Sequence, residues 1–302
     1  MTLTASYETC RRLHARFGRS YYLATRLLPA WKRRHVHAIY GFARYADEIV
    51  DALDGADDRA AALDRLTSRL ATGLAGEPSD DHVLPAFIHT VRSFRIDHGD
   101  IDAFLRSMRA DLAIARYSSY DDLLDYMEGS AAVIGTMMLP VLEPMPGREK
   151  EAREPARQLG LAFQLTNFLR DVKEDLARGR VYLPLDDLAR FGVEEADLGR
   201  PLVSPRLREL LAFEAERARE HYRAALPGVE LLVPSSRPCI RAAHELYGGI
   251  LDEIERSGFE VLSRRAAVPH HRRLAVFARH LAAASSAART DRRLGTEIPG
   301  WA

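Results

Sequence analysis

Apolar residues recur along this chain at the three- and four-residue intervals of a helix, and no alternating pattern of useful length indicates a β-strand. Turn-forming segments rich in glycine and proline, at 76–80 and 143–147, interrupt the helical pattern. The pattern predicts an extended segment over 181–184 and helices over residues 29–54, 59–74, 82–95, 100–115, 121–142, 155–177, 205–226, 237–257 and 269–287. We therefore expect an all-α protein.

The predicted helices are best interpreted as one domain. The chain shows no repeat of solenoid period and no convincing linker, and its length allows a sizeable core. We expect a single all-α domain over residues 1–302, built around a central cavity. Gly55 is predicted to end the helix over 29–54, and the tail after about residue 289 is predicted to be loosely ordered.

Two of these helices each carry a narrow polar stripe, while their other faces hold mainly apolar and small residues. At roughly 100° per residue, the residues of each stripe fall on one side of the helix. The stripes consist of Tyr40, Arg44, Asp47 and Asp51 on the first helix, and of Gln164, Asn167, Asp171 and Asp175 on the second. A surface helix would instead be apolar on one side and broadly charged on the other. The pattern predicts two buried helices with polar stripes that face an interior space.

Each stripe contains two aspartates four residues apart, which places both carboxylates on one face, one helical turn apart. Like charges at this spacing repel unless a cation lies between them, and Mg²⁺ binds carboxylate oxygens together with phosphate oxygens and waters. For one such pair, a solvated acidic face or an ion pair such as Asp47 with Arg44 is the more common explanation. Two pairs, each with arginine or amide side chains nearby, favour a metal clamp for a diphosphate.

Three further stretches are candidates for ligand contact, each with a plain alternative. Their residues are Arg19, Ser20 and Tyr21 before the first acidic helix; Tyr126, Gly129, Ser130, Ala132 and Gly135 on one predicted helix; and Arg178, Arg180 and Tyr182 after the second acidic pair. The first and third stretches suit phosphate binding, or hold solvated arginines. The small residues of the second leave room for a long apolar ligand, or for close helix packing. Tyr247 either lines the same cavity or packs in the core.

Composition excludes several classes of function. Lys+Arg and Asp+Glu both number 43, so the formal net charge is zero and gives no argument for nucleic acid binding. Cys10 and Cys239 are the only cysteines, which suggests neither a disulfide framework nor a cysteine metal site. No Glu-x-x-His, G-x-G-x-x-G or Walker A motif supports a di-iron, Rossmann or P-loop site. Without a signal peptide or a long uncharged apolar run, we expect a cytoplasmic protein, with transient contact to a membrane surface left open.

Residues 38–51 (AIYGFARYADEIVD) and 164–175 (QLTNFLRDVKED), followed by 180–184 (RVYLP), resemble the squalene/phytoene synthase family. The resemblance extends from about residue 7 to 267 and implies an all-α isoprenoid synthase-type helical bundle. It also implies roles for individual residues. Mg²⁺, with Mn²⁺ as a substitute, would bind Asp47, Asp51, Asp171 and Asp175; diphosphate or metal-bound water would contact Arg44, Arg170, Ser20, Asn167 and Gln164; and Tyr40, Tyr126, Tyr182 and Tyr247 would line the cavity near a cation.

The family condenses two prenyl diphosphates head to head. Glu48, where many members have Asp, and the segments 107–112 and 129–135 favour the phytoene branch. That branch implies condensation of two geranylgeranyl diphosphates through a cyclopropylcarbinyl diphosphate, with no need for NADPH. Conversion of farnesyl diphosphate to presqualene diphosphate, hydroxysqualene or squalene stays open, as does a non-catalytic helical scaffold. Neither acidic segment begins Asp-Asp, which disfavours a chain-elongating synthase. The sequence leaves the oligomeric state open.

Overall fold

The computed structural model describes residues 1–52 and 56–293, and α-helices make up most of this part of the chain. In chain order they are α1 (Leu3–Phe17), α2 (Arg19–Thr25), α3 (Ala30–Asp51), α4 (Ala56–Ala75), α5 (Leu84–Phe94), α6 (His98–Ala110), α7 (Tyr120–Met127), α8 (Val133–Leu142), α9 (Glu149–Ala177), α10 (Leu185–Arg190), α11 (Glu195–Leu198), α12 (Pro205–Ala225), α13 (Arg237–Arg256) and α14 (His270–Arg293). A π-helical turn over Glu128–Ala132 joins α7 to α8, and a 3₁₀ turn over Leu226–Leu231 follows α12. The described ranges contain two isolated β-bridges and no strand. The all-α prediction is confirmed.

The two helices with polar stripes are α3, of 22 residues, and α9, of 29 residues. α3 begins directly after Pro29, which has a φ of −51° and an extended ψ and therefore leads the chain into the helix. α9 ends at Ala177, and Gly179 follows with a φ of 78°, in the left-handed region that favours glycine. The chain therefore turns sharply at the end of α9 and brings the next residues back beside it.

Two groups of buried apolar residues hold these helices in place. The first packs α3 against α5, α6 and α8, and the rings of Phe42 and Phe87 stack in it 3.9 Å apart. The second packs α9 against α12 and α13 and includes the fully buried Leu211 and Leu251. Burying one such side chain contributes roughly 1.5–3 kcal/mol. The apolar faces of α3 and α9 are thus fixed in the core, and their polar stripes are left to face an interior space.

Glycines set the close approach of α8 and the π-helical turn to α9. A Cβ atom at Gly135 would collide with the carbonyl oxygen of Ala156, and one at Gly160 would collide with the carbonyl of Ala131. Only a residue without a side chain allows two helix backbones to approach this closely. This contact fixes the distance between the wall formed by α8 and the stripe carried by α9.

A buried lysine ties the start of α3 to two other elements. Lys32 is fully buried, and its Nζ lies 2.9 Å from Ser236 Oγ, 3.3 Å from the carbonyl oxygen of Leu142 and 2.5 Å from the Glu143 carboxylate. A buried ammonium is tolerated when it is paired and hydrogen-bonded in this way. These contacts join α3 to the end of α8 and to the residue before α13.

The structure differs from the predicted helices in several places. α1 and α2 were not predicted, the helix predicted over 121–142 contains the π-helical turn, and the one predicted over 155–177 begins earlier, at Glu149. Pro155 therefore lies inside α9, where its missing N–H leaves one helical hydrogen bond unmade. The final helix continues to Arg293, so residues 290–293 are helical, whereas the rest of the predicted loose tail lies outside the described residues, as do Asp54 and Gly55.

Candidate active site

A polar cavity of about 880 Å³ is lined by both polar stripes, with every one of their residues at its surface. The stripe residues there are Tyr40, Arg44, Asp47, Asp51, Gln164, Asn167, Asp171 and Asp175. The other predicted site residues that line the same cavity are Arg19, Ser20, Tyr21, Tyr126, Arg170, Arg180, Tyr182 and Tyr247. The structure therefore brings together residues from α2, α3, α7, α9, α13 and the segment that follows α9.

A second cavity, of about 280 Å³, is lined mainly by apolar and small side chains from α2, α3, α8, α9 and α13. Seven residues line both cavities, and we call this set the neck: Tyr21, Tyr40, Ala43, Ser130, Ile134, Gln164 and Asn167. A molecule lying through the neck would have one end among carboxylates and arginines and the other among apolar side chains. This arrangement suits a ligand with a charged head and a long hydrocarbon tail.

The first aspartate pair is held by arginines from both sides of the polar cavity. Arg44 Nη1 lies 2.7 Å from Asp47 Oδ2, whereas Arg178 Nη1 and Arg180 Nη1 reach Asp51 at 2.9 and 2.8 Å. The Asp47 side chain keeps 45% of its surface open to the cavity. Even so, loss of bulk water among the surrounding protein atoms, followed by repulsion from Asp51, raises the pKa of Asp47 to about 6. Burial therefore makes the ionised form of Asp47 costly even though three arginines surround the pair, and a further cation beside Asp47 would stabilise that form.

The second pair contains two aspartates in opposite electrostatic environments. Asp171 accepts two hydrogen bonds from Arg170, at 2.8 and 2.5 Å, and two from Arg265, at 2.8 and 3.0 Å. Burial alone would raise the pKa of Asp171, but these hydrogen bonds and the arginine charges bring it below its ordinary value. One turn later, burial and then repulsion from Asp171 raise the pKa of Asp175 to about 7. A cation beside Asp175 would relieve that repulsion.

The aspartate pairs fit a magnesium ion whose remaining coordination positions are filled by a bound ligand and by water. Within residues 1–52 and 56–293, no three His, Cys, Asp or Glu side chains form a metal-binding group by themselves. Mg²⁺ is commonly held by only one or two protein carboxylates together with waters and substrate phosphates. The raised pKa values of Asp47 and Asp175 indicate carboxylates that a divalent cation would stabilise. The donor set therefore suits Mg²⁺ shared with a diphosphate.

Aromatic rings surround the neck and the adjoining part of the polar cavity. Tyr21 stacks on Tyr247 at 4.1 Å, Tyr40 stacks on His14 at 4.1 Å, and Tyr182 stacks on Phe168 at 4.0 Å. Burial raises the pKa of the Tyr21 phenol far above its ordinary value, as it does for Tyr40 and Tyr182, so these rings stay neutral. The faces of neutral aromatic rings attract cations.

Asp111 and Arg265 are among the charged residues of this cavity that sequence reasoning did not assign. Asp111, at the end of α6, accepts a hydrogen bond of 2.8 Å from Tyr126 Oη, and burial raises its pKa to about 6. Its other oxygen, Oδ1, is buried and has no hydrogen-bond partner among the described residues. Arg265 lies between α13 and α14 and binds Asp171 from there. Asp111 lies in the segment 107–112, from which the sequence analysis inferred the branch of the family but no role for Asp111 in the site. No local sequence pattern distinguishes Arg265.

Two predicted ligand-contact residues, both glycines, pack against neighbouring helices. Gly129 faces α6, where a Cβ atom would collide with Ser107 Oγ, and it lines a surface groove on the far side of the π-helical turn together with Ala132. Gly135 borders the apolar cavity, but the side on which a Cβ would stand is filled by the α9 backbone. Close helix packing, the plain alternative, therefore accounts for these two glycines.

Comparison with known proteins points to one family. Residues 14–272 match the family described as squalene/phytoene synthase. The chain is 40% identical to the phytoene synthase of Arthrospira platensis, over 89% of this chain and 90% of that one, and 37% identical to the 15-cis-phytoene synthase of Synechococcus elongatus, over 90% and 91%. Among solved structures, a dehydrosqualene synthase in complex with a ligand superposes with a TM-score of 0.85 at 27% identity, covering 94% of this chain and 98% of that one. The squalene synthase HpnC from Alicyclobacillus acidocaldarius gives a TM-score of 0.75 at 26% identity, covering 85% and 96%. The chain therefore belongs to the squalene/phytoene synthase family.

Proposed function

We propose that this protein condenses two geranylgeranyl diphosphates head to head into phytoene, through a cyclopropylcarbinyl diphosphate, as a step of carotenoid biosynthesis. The observation that carries the proposal is the polar cavity with two opposed aspartate pairs that opens through the neck into an apolar cavity. Relatives that share 37–40% identity over about nine-tenths of the chain and are named phytoene synthases support this choice of product.

In this proposal Asp47, Asp51, Asp171 and Asp175 hold Mg²⁺, for which Mn²⁺ can substitute because both are hard, oxygen-seeking ions. When bound, the ions act as Lewis acids that neutralise the departing diphosphate. The chain adds fixed positive charge from Arg44, Arg170 and Arg180, which line the same cavity. Arg19 and Ser20 in α2, with Gln164 and Asn167 in α9, supply further hydrogen bonds to the diphosphate or to waters around it.

The neck orients the hydrocarbon part of the substrate. Its aromatic rings, with that of Tyr247 beside them, present their faces to the allylic cation that forms when the bond from carbon to diphosphate oxygen breaks. The double bond of the second prenyl chain attacks this carbon, and the cyclopropane ring closes as a carbon–hydrogen bond breaks and a proton leaves. The resulting cyclopropylcarbinyl diphosphate ionises again, rearranges and loses a second proton. The apolar cavity holds the tails and excludes water, which would otherwise trap the cation.

The squalene branch is the second candidate function. The chain superposes with a TM-score of 0.85 on a dehydrosqualene synthase and of 0.75 on a squalene synthase. In that case two farnesyl diphosphates would be joined to presqualene diphosphate, hydroxysqualene or squalene.

Product identity separates the two candidates. The purified protein is incubated with Mg²⁺ and either geranylgeranyl or farnesyl diphosphate, each with and without NADPH, and the lipid extract is analysed by mass spectrometry. Phytoene from geranylgeranyl diphosphate, in equal yield without NADPH, is the expected result. Conversion of farnesyl diphosphate alone would replace the phytoene assignment with the squalene branch.

A peripheral contact with a lipid surface completes the proposal, since the product is entirely apolar. Within the described residues, no helix combines the length and the apolar character required to cross a membrane. α14 exposes Leu274 and Leu281, 62% and 45% accessible, one heptad apart and next to the exposed Arg272 and Arg279. Vesicles containing phosphatidylglycerol are expected to co-sediment the protein, and the double variant Leu274→Gln/Leu281→Gln is expected to remain in solution. Equal sedimentation of both proteins would remove α14 as the contact surface.

A further inference from the structure

The neck contains a hydroxyl group that no part of the described protein binds. Ser130 lies on the π-helical turn between α7 and α8 and lines both the polar and the apolar cavity. Its Oγ atom is buried and has no hydrogen-bond partner among the described residues. Buried hydroxyls are nearly always hydrogen-bonded, so an unpartnered one beside a cavity points to a ligand.

A second side chain explains why Ser130 is free. A serine inside a helix ordinarily donates to the carbonyl four residues earlier, which here is that of Tyr126. Ser107 on α6 takes this position, because its Oγ donates to the Tyr126 carbonyl oxygen at 3.1 Å. Gly129 makes room for Ser107, since a Cβ atom at position 129 would collide with Ser107 Oγ. The contact between α6 and the π-helical turn thus leaves the Ser130 hydroxyl available to the neck.

The other side of the neck carries a matching unpaired atom. Asn167 on α9 uses its Nδ2 to donate to Gln164 Oε1 at 3.4 Å, while its Oδ1 is buried without a partner among the described residues. Ser130 can donate and Asn167 Oδ1 can only accept. A diphosphate oxygen together with a water of the bound metal would satisfy both groups.

We propose that Ser130 is a further catalytic residue, whose hydroxyl donates a hydrogen bond to the substrate oxygen that joins the first prenyl carbon to the diphosphate. This inference rests on the proposed function of the site. The carbon–oxygen bond breaks with its electron pair going to that oxygen, the carbon becomes the allylic cation, and the serine keeps its proton. Because the oxygen gains negative charge as the bond breaks, the hydrogen bond is stronger in the transition state than in the ground state.

The first test is the isosteric pair Ser130→Thr and Ser130→Val, which share a shape and differ only in the hydroxyl. The readout is the rate at which diphosphate is released in a single turnover, because departure of the hydrocarbon product can limit the steady-state rate. We expect the valine variant to be roughly 100- to 1,000-fold slower than the threonine variant, as for the loss of one donor to a developing oxyanion. Equal rates for the two variants would overturn the role of the hydroxyl.

The second test compares Ser130→Ala with Ser235→Ala. Ser235 is also buried, its Oγ also lacks a partner among the described residues, and it lines neither cavity of the site. Removing an unsatisfied buried hydroxyl should leave the melting temperature of both variants unchanged or higher. Only Ser130→Ala should slow diphosphate release. A slow Ser235→Ala variant, or a Ser130→Ala variant as fast as the wild type, contradicts the proposal.

This inference and the proposed function can fail separately. Product identity tests the function, whereas the ratio of the Thr and Val rates tests Ser130 with whichever prenyl diphosphate the wild type ionises. Inorganic pyrophosphate with Mg²⁺ serves as a probe without turnover. Its dissociation constant should be several-fold higher for Ser130→Val than for Ser130→Thr, and equal constants would count against a hydrogen bond to the diphosphate.

Discussion

At the scale of single residues, the members of the second aspartate pair should affect stability in opposite directions. Asp171 has a lowered pKa and Asp175 a raised one, of about 7. Between the unfolded pKa and about pH 7, folded Asp175 binds more protons than the unfolded chain, so its contribution to stability declines as the pH rises. Asp171 contributes stability above its unfolded pKa and loses it on acidification.

The variants Asp175→Asn and Asp171→Asn test this contrast. At about pH 8, Asp175→Asn should melt at a higher temperature than the wild type, and Asp171→Asn at a lower one because it removes the carboxylate charge that Arg170 and Arg265 both bind. Both should lose activity on the order of 10²-fold or more, since each removes a proposed ligand of the metal. Thermal denaturation by circular dichroism and an activity assay provide the data. Shifts of the same sign would show that the electrostatic description of this pair is wrong.

Binding of a metal diphosphate should release protons near neutral pH. Asp47 and Asp175, with pKa values of about 6 and 7, are partly protonated there, and a cation binds only their ionised forms. Affinity for Mg²⁺ with inorganic pyrophosphate should therefore weaken as the pH falls from about 8 to about 6. Isothermal titration calorimetry in buffers of different ionisation enthalpy measures the released protons directly. A constant affinity with no buffer dependence would speak against these two carboxylates as ligands.

At the scale of elements, the sequence predicts α3 and α9 well but not the residues that other elements bring to them. A long helix with an apolar face and a polar stripe is visible in its own spacing. α1 was missed because its buried face consists of Ser6, Tyr7, Cys10 and His14, largely polar groups that bond across the fold. Ser6 Oγ, for example, donates to the carbonyl of Val83 at 3.1 Å. Asp111 reaches the cavity from the end of α6, and Arg265 reaches it from the segment after α13. No local sequence pattern predicts contacts between residues so far apart in the chain.

The close contact of α8 with α9 should not tolerate a side chain. Gly135→Ala places a methyl group against the Ala156 carbonyl, and such overpacking costs roughly 1–3 kcal/mol. The control is Gly248→Ala on α13, where a Cβ would meet only Tyr222 Cε1, at 3.9 Å, and where alanine should favour the helix by about 0.5–1 kcal/mol. Chemical denaturation of both variants gives the comparison. A Gly135→Ala protein as stable as Gly248→Ala would contradict the packing described for this pair of helices.

At the scale of the whole molecule, the polar cavity holds the charged head of the proposed substrate and the apolar cavity holds its tail. Helix α13 runs from one cavity to the other. Tyr247 lines the polar cavity, while Ala243 and Cys239, one and two turns earlier, line the apolar one. A large side chain at Cys239 should therefore shorten the space for the tail without touching the aspartates. This position is a better choice than Ala132 or Gly135, the small residues that the sequence had suggested as neighbours of a long apolar ligand. Ala132 lines the surface groove, and a Cβ at Gly135 would collide with the Ala156 carbonyl.

Cys239→Phe should accordingly shift the substrate preference towards the shorter chain. The ratio of kcat/KM for geranylgeranyl over farnesyl diphosphate should fall by about tenfold or more, since several methylenes lose their place. Cys239→Ser, similar in size to the native residue, is the control and should keep the native preference. If the ratio of kcat/KM values is unchanged in Cys239→Phe, the end of the prenyl tail does not lie beside Cys239.

The central claim is that the aspartate pairs of α3 and α9 together bind a metal diphosphate whose prenyl tail lies through the neck. Crystals grown with Mn²⁺ and an unreactive thiolodiphosphate analogue of geranylgeranyl diphosphate test it directly, because anomalous scattering locates the metal. The account predicts Mn²⁺ beside Asp47 and Asp51 and beside Asp171 and Asp175, bridged by the diphosphate, with the isoprenoid chain passing Tyr40 and Ser130 into the apolar cavity. Metal bound away from both pairs, or a prenyl chain outside the neck, would contradict it.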